Sequence, residues 1–189
     1  MTAPGGLVLF HGAGGDREHR LFLRMEAELS LPVARCNFPY RARGPGRRPP
    51  DRMPKLIESI REQAAQLADG WGVSPFSLVF GGRSMGGRAC SMAVAEGLPA
   101  AGLLLLSYPL HPPGKPDNLR TEHLPDVTVP GLLVQGTRDA FGKPDEFDQH
   151  FTSYAGPLEQ VWLDGAAHDP KPAYDDQIIA ATAAWLAAL

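Results

Sequence analysis

The sequence predicts an α/β architecture in which about six mostly parallel strands are covered by helices on both faces. Three observations carry this expectation: six short apolar runs, longer amphipathic stretches between them, and little alternation of apolar and polar residues inside the runs. Strands with one wet face alternate, whereas strands buried on both faces read as continuous apolar runs, so the sheet should be parallel and covered on each side.

Taken in order, LVLF (7–10) is the first strand, and after the glycine-rich HGAGG (11–15) comes EHRLFLRMEAEL (18–29), whose apolar residues recur at helical spacing. PVARCNF (32–38) is the second strand, followed by a helix over PKLIESIREQAAQLA (54–68). FSLVF (76–80) precedes GGRSMGGR (81–88), and GGRACSMAVAEG (86–97) then has helical period. AGLLLLS (101–107) and GLLVQG (131–136) are the fourth and fifth strands. A helix over PDEFDQHFTSY (144–154), a strand at LEQVWL (158–163) and a helix over YDDQIIAATAAWLAAL (174–189) close the chain. Two stretches break the pattern, PYRARGPGRRPPDR (39–52) and YPLHPPGKPDNLRTEHLPDVTVP (108–130). Both are rich in proline, glycine and charge, and both follow a strand, where open α/β sheets bind ligands. No repeat or linker interrupts the 189 residues, so one domain over 1–189 is expected.

A hydrophobic content of 43% with 21% charged residues is ordinary for a globular domain, and a net charge of −3 gives no broad electrostatic reason to bind nucleic acid or a membrane surface. A small-molecule partner is expected; oligomeric state is not legible. Cys36 and Cys90 stand outside any CxxC or Cys/His spacing, so neither a metal nor another cofactor is expected. The opening MTAPGGLVLFHGAGG has no basic segment and only four consecutive apolar residues before His11, which argues against a signal peptide and for a cytoplasmic setting.

The chemistry centres on Gly82-Arg83-Ser84-Met85-Gly86, a G-x-S-x-G with a strand before it and a helix after it. A sharp strand-to-helix turn holds such a serine in a strained conformation and brings neighbouring backbone so close that the flanking residues must be glycine. The competing reading is a glycine-rich turn whose serine merely caps helix 86–96. A nucleophilic serine needs a base and a group to orient that base. Asp139 follows GLLVQG, and His168 follows LEQVWL in the loop DGAAHD (164–169), so acid and histidine come after the serine in the chain order of α/β-hydrolases. Asp164 and Asp169 lie too close in sequence to His168 to reach its Nδ1 while its other nitrogen reaches the serine. The backbone N–H groups of Ala13, in HGAGG, and of Met85 are the candidate oxyanion donors. His11 is read equally well as a buried brace of that loop.

HGAGG (11–15), NFPYRARGPGRRPPDR (37–52), GGRSMGGR (81–88), SYPLHPPGKPDNLRTEHL (107–124), VQGTRDAFG (134–142) and DGAAHD (164–169) together resemble the compact α/β-hydrolase-like proteins related to dienelactone hydrolases. That group includes bacterial hydrolases, a testis-expressed eukaryotic protein and the hydrolase-like region of an NSL complex subunit. The resemblance implies a minimal α/β-hydrolase fold with Ser84 as nucleophile, Asp139 as acid and His168 as base, and it brings no substrate. A first strand at residue 7 and no insertion long enough for a lid predict a shallow, open site. Arg83, Tyr108 and His111 are candidate substrate contacts, although packing or ion pairing explains each about as well. The basic residues Arg41, Arg43, Arg47, Arg48, Arg52 and Lys55 are read as a solvated loop or as an attractor of acidic groups. The expected activity is hydrolysis of a small soluble ester or thioester through an acyl-enzyme. The alternatives are a non-catalytic scaffold or binding protein, and the same site used for acyl transfer or peptide cleavage. Dienelactone opening is disfavoured, since such enzymes usually carry cysteine at the position of Ser84.

Overall fold

The computed structural model describes residues 3–42 and 48–189, so Arg43 and Arg47 of the basic stretch lie outside the described residues. Its strands are β1 (Gly6–Phe10), β2 (Val33–Cys36), β3 (Leu78–Arg83), β4 (Gly102–Leu106), β5 (Gly131–Gly136) and β6 (Leu158–Leu163). They form one sheet in the order β2-β1-β3-β4-β5-β6, and every neighbouring pair is parallel. The helices are α1 (Arg20–Glu28), α2 (Pro39–Ala42), α3 (Met53–Trp71), α4 (Met85–Ala95), α5 (Pro144–His150) and α6 (Asp175–Ala188).

Continuous apolar runs fold this way because successive side chains of a strand enter opposite faces, and each face meets its own core. Val8, Phe10, Leu78, Phe80, Leu103, Leu105 and Leu133 pack on one side with Ile57 and Ile60 of α3, Ala89 and Cys90 of α4 and Phe147 of α5. Leu7, Leu9, Val79, Leu104, Leu106, Leu132 and Val134 pack on the other with Phe22 and Met25 of α1 and Ile178 and Trp185 of α6. Because β2 and β3 lie on opposite sides of β1, the chain changes direction between β1 and β3. The loops leaving the carboxyl ends of these two strands diverge and open a crevice, the usual ligand position in such sheets. HGAGG and Ser84 occupy the two sides of that crevice.

Several boundaries differ from the sequence expectation. The third strand starts at Leu78 rather than at 76, because Ser74 accepts the Phe76 N–H and Pro75 helps wind 75–77 into a 3₁₀ turn. It then continues to Arg83 through two glycines, since β1 keeps pairing with it as far as Gly82 and β4 as far as Arg83. Helix α5 ends at His150, not 154, and the apolar residues that extended its pattern serve the core outside it: Phe151 is buried and the Tyr154 hydroxyl donates to the Val129 carbonyl at 3.0 Å. The short α2 inside the stretch 39–52 was not expected.

Candidate active site

Ser84 occupies the turn between β3 and α4 with φ 50° and ψ −116°, a conformation that costs a non-glycine residue about 1–3 kcal/mol. The strain is held by its surroundings. Its N–H donates to the Leu106 carbonyl at 2.8 Å, and a Cβ at Gly82 or Gly86 would strike the Phe10 carbonyl oxygen, so β1 presses against the turn on both sides of the serine. Although Ser84 stands at the N-cap of α4, its side chain makes no capping hydrogen bond. Its Oγ lies 2.8 Å from His168 Nε2 instead. That contact turns the serine side chain toward the imidazole rather than toward the helix.

The carboxyl ends of β5 and β6 supply the rest. His168 Nδ1 is 2.8 Å from Asp139 Oδ2, and Asp139 is fully buried. A buried carboxylate is costly unless its lone pairs are occupied. Here Gln135 Nε2 donates to Oδ2 at 2.7 Å and the Phe141 N–H donates to Oδ1 at 2.8 Å. An acceptor on Nδ1 fixes the tautomer with its proton there, leaving Nε2 bare toward the serine hydroxyl. Phe141 also stacks on the imidazole at a centroid distance of 4.0 Å, which restricts the ring to one orientation.

On the opposite wall, the loop after β1 is braced from beneath by His11, which is 1% exposed. Its Nδ1–H donates to the Gly12 carbonyl at 2.9 Å and its Nε2 accepts the Phe38 N–H at 3.3 Å. Burial holds its pKa below the ordinary histidine value, consistent with the neutral ring this pairing requires. Ala13 and Met85 both line the cleft beside Ser84. The N–H of Met85 belongs to the first turn of α4, where no intrahelical acceptor exists.

Arg83 lines the cleft as well, but its charge is committed. It pairs with Asp169 at 2.8 Å and with His19 Nε2 at 3.0 Å. A guanidinium has only donors, so His19 must present a bare Nε2 and stay neutral. Its pKa is accordingly lowered to about 4, by burial first and by Arg83 and Arg20 after it. Nδ1 then carries the proton, and the 3.3 Å approach of the Leu21 N–H to it is a contact rather than a true cap.

Two candidate substrate contacts are corrected. Tyr108 is fully buried, its hydroxyl donating to the Arg120 carbonyl at 2.7 Å and its ring edge-on to Phe151. His111 is turned to Glu146 at 3.0 Å. Neither lines the cleft. Strand β4 ends at Leu106, but Tyr108 and Leu110 beyond it still join the core, so the same loop meets the cleft through Pro109 and Arg120. Of the basic stretch, Arg41 pairs with Asp16 at 3.0 Å and Lys55 with Asp51 at 3.6 Å.

Sequence reasoning also missed Gln135, Phe141, His19, Arg88 and Arg120. Only Arg88, four residues after Ser84 and hence on the same helix face, carried a positional signal. The cleft has a volume of about 400 Å³. Among the described residues no group of three or more His, Cys, Asp or Glu is arranged to hold a metal ion, and no helix is long and apolar enough to cross a membrane.

Comparison with solved structures returns the same architecture. Est1E from Butyrivibrio proteoclasticus superposes with a TM-score of 0.77 at 15% identity, covering 98% of this chain and 88% of that one. A monoacylglycerol lipase from Paleococcus ferrophilus gives 0.77 at 16% identity, with 98% and 96% covered. A dienelactone hydrolase from Anabaena variabilis gives 0.73 at 18%, with 98% and 86% covered. At these identities the likeness is one of fold. The family model for the alpha/beta hydrolase domain matches residues 4–184.

Proposed function

Since the chain belongs to the alpha/beta hydrolase domain family, we propose that it is a serine hydrolase acting on a small ester or thioester through an acyl-enzyme. The observation that carries the reading is the relay of two 2.8 Å contacts from Ser84 Oγ through His168 to a fully buried Asp139. Ser84 Oγ attacks the carbonyl carbon while His168 Nε2 takes the hydroxyl proton. Asp139 keeps the Nδ1 proton in place and stabilises the imidazolium without itself being protonated. The N–H groups of Ala13 and Met85 donate to the tetrahedral oxyanion, and the developing negative charge sits at the positive end of α4. His168 then returns its proton to the leaving alkoxide or thiolate, which departs as the alcohol or thiol. A water, deprotonated by the same nitrogen, attacks the acyl-serine carbonyl; the bond to Oγ breaks, His168 returns the proton to Ser84 Oγ, and the carboxylic acid departs. Every step uses one proton site, so no cofactor enters the scheme.

A fluorophosphonate probe tests the reading directly. Stoichiometric phosphonylation at Ser84, read by mass spectrometry and lost in Ser84→Ala, is expected. A folded protein that stays unlabelled would favour the scaffold reading and direct the search to a binding partner.

A further inference from the structure

Among the described residues, two guanidinium groups of the cleft have no carboxylate partner. Arg88 lies one helical turn below Ser84, its N–H bonded to the Ser84 carbonyl at 3.1 Å, and Arg120 reaches the same cleft from the β4–β5 loop. The other charged residues that line the cleft are paired: Arg83 with Asp169 and Asp16 with Arg41. Among the described residues neither Arg88 nor Arg120 has a carboxylate partner, and Arg88 Nε is buried without a hydrogen-bond acceptor. Arg120 spends one N–H on the Pro109 carbonyl at a long 3.4 Å.

Their surroundings feel the Arg88 charge. Burial and then Arg88 hold Arg120 below the usual guanidinium range, and burial and then Arg88 lower His123 to about 4, with Asp126 opposing. His123 Nε2 lies 2.7 Å from Ser91 Oγ. Partly buried cations kept without an acid are costly to a fold and useful to a ligand that brings the acid with it.

We propose that Arg88 and Arg120 form an anion subsite of this cleft, so that the substrate is an ester or thioester carrying a carboxylate or phosphate a short chain away from the scissile carbonyl. This rests on the hydrolase reading above. Spacing of one helical turn between Ser84 and Arg88, about 5–6 Å between Cβ atoms, suits a short half-ester of a dicarboxylic acid or a comparable phosphate.

The test compares kcat/KM for 4-nitrophenyl hydrogen glutarate with that for its neutral methyl ester, with fluorophosphonate labelling of Ser84 as a separate readout of a formed site. Wild type is expected to prefer the anionic ester by about tenfold or more, with the preference shrinking as salt rises. Arg88→Gln and Arg120→Gln should each cut that ratio about tenfold while the protein still labels. Calorimetric titration with glutarate and with inorganic phosphate reads the subsite without turnover. Binding of either anion that is lost in both variants upholds the subsite and says which anion it takes, even if labelling fails and the hydrolase reading falls. Labelling at Ser84 combined with equal kcat/KM for the two esters, and no arginine-dependent binding of either anion, would overturn the subsite and leave the hydrolase reading standing.

Discussion

A carboxylate with no exposed surface that accepts from Gln135, Phe141 and His168 has most of its lone pairs committed, and this makes the site intolerant of small changes in donor pattern. Asp139→Asn keeps the shape but turns an N–H toward His168 and selects the wrong tautomer. Turnover is expected to fall by about 10⁴, measured as kcat on any ester the wild type accepts. Gln135→Leu removes one charge-assisted donor and, with it, a side-chain carbonyl that has no partner of its own. A net stability loss of about 1–3 kcal/mol is expected in urea unfolding, and a loss near zero would mean the amide contributes nothing to holding Asp139. The meeting of Ser84, Asp139 and His168 was legible in the sequence because each falls just past a strand, in the chain order that this fold imposes. Gln135 was not, since it reads as the polar end of a strand. Tyr108 and His111 were misread for the converse reason: a polar atom just beyond a strand looks available, and only tertiary packing reveals that its hydrogen bond is already made.

At the level of elements, glycines divide into those that the packing needs and those it does not. A methyl group at Gly86 would collide with the Phe10 backbone, so Gly86→Ala must push β1 from α4 or prevent the turn. The expected outcome is loss of fluorophosphonate labelling together with destabilisation by several kcal/mol, as for other overpacked cores. Gly70, exposed near the end of α3 with open space around it, is the contrast. Gly70→Ala should raise stability by about 0.5–1 kcal/mol, read as a shift of the thermal midpoint. Strands β5 and β6 were legible to the residue, because turn residues bound their apolar runs on both sides. Helix α5 was overextended because Phe151 and Tyr154 keep an apolar spacing that helix and core turn share, and periodicity cannot tell one from the other.

Across the whole molecule, three buried or half-buried histidines, His11, His19 and His123, carry lowered pKa values, to about 4 for the last two. In the unfolded chain each titrates near 6.5. Between about 6.5 and 4 the unfolded state therefore binds more protons than the native one, so stability is full above that window and falls as the pH drops through it. Urea midpoints measured from pH 7 to pH 4 should decline with falling pH, and His19→Gln should flatten the decline; a flat wild-type profile would mean that these rings are not neutral in the fold. The parallel order of the sheet was legible as a class, whereas the order β2-β1-β3-β4-β5-β6 was not, since one chain carries no record of which edge a strand joins. That order has a consequence for how the site is distributed. Ser84 and Ala13 precede the exposed stretch 113–118, while Asp139 and His168 follow it, and the two portions meet along the β4–β5 seam. Cut within that stretch, the protein would fall into two fragments that each lack half of the proposed reacting groups, and recovery of Ser84 labelling on mixing them would work as a complementation signal for the seam having closed.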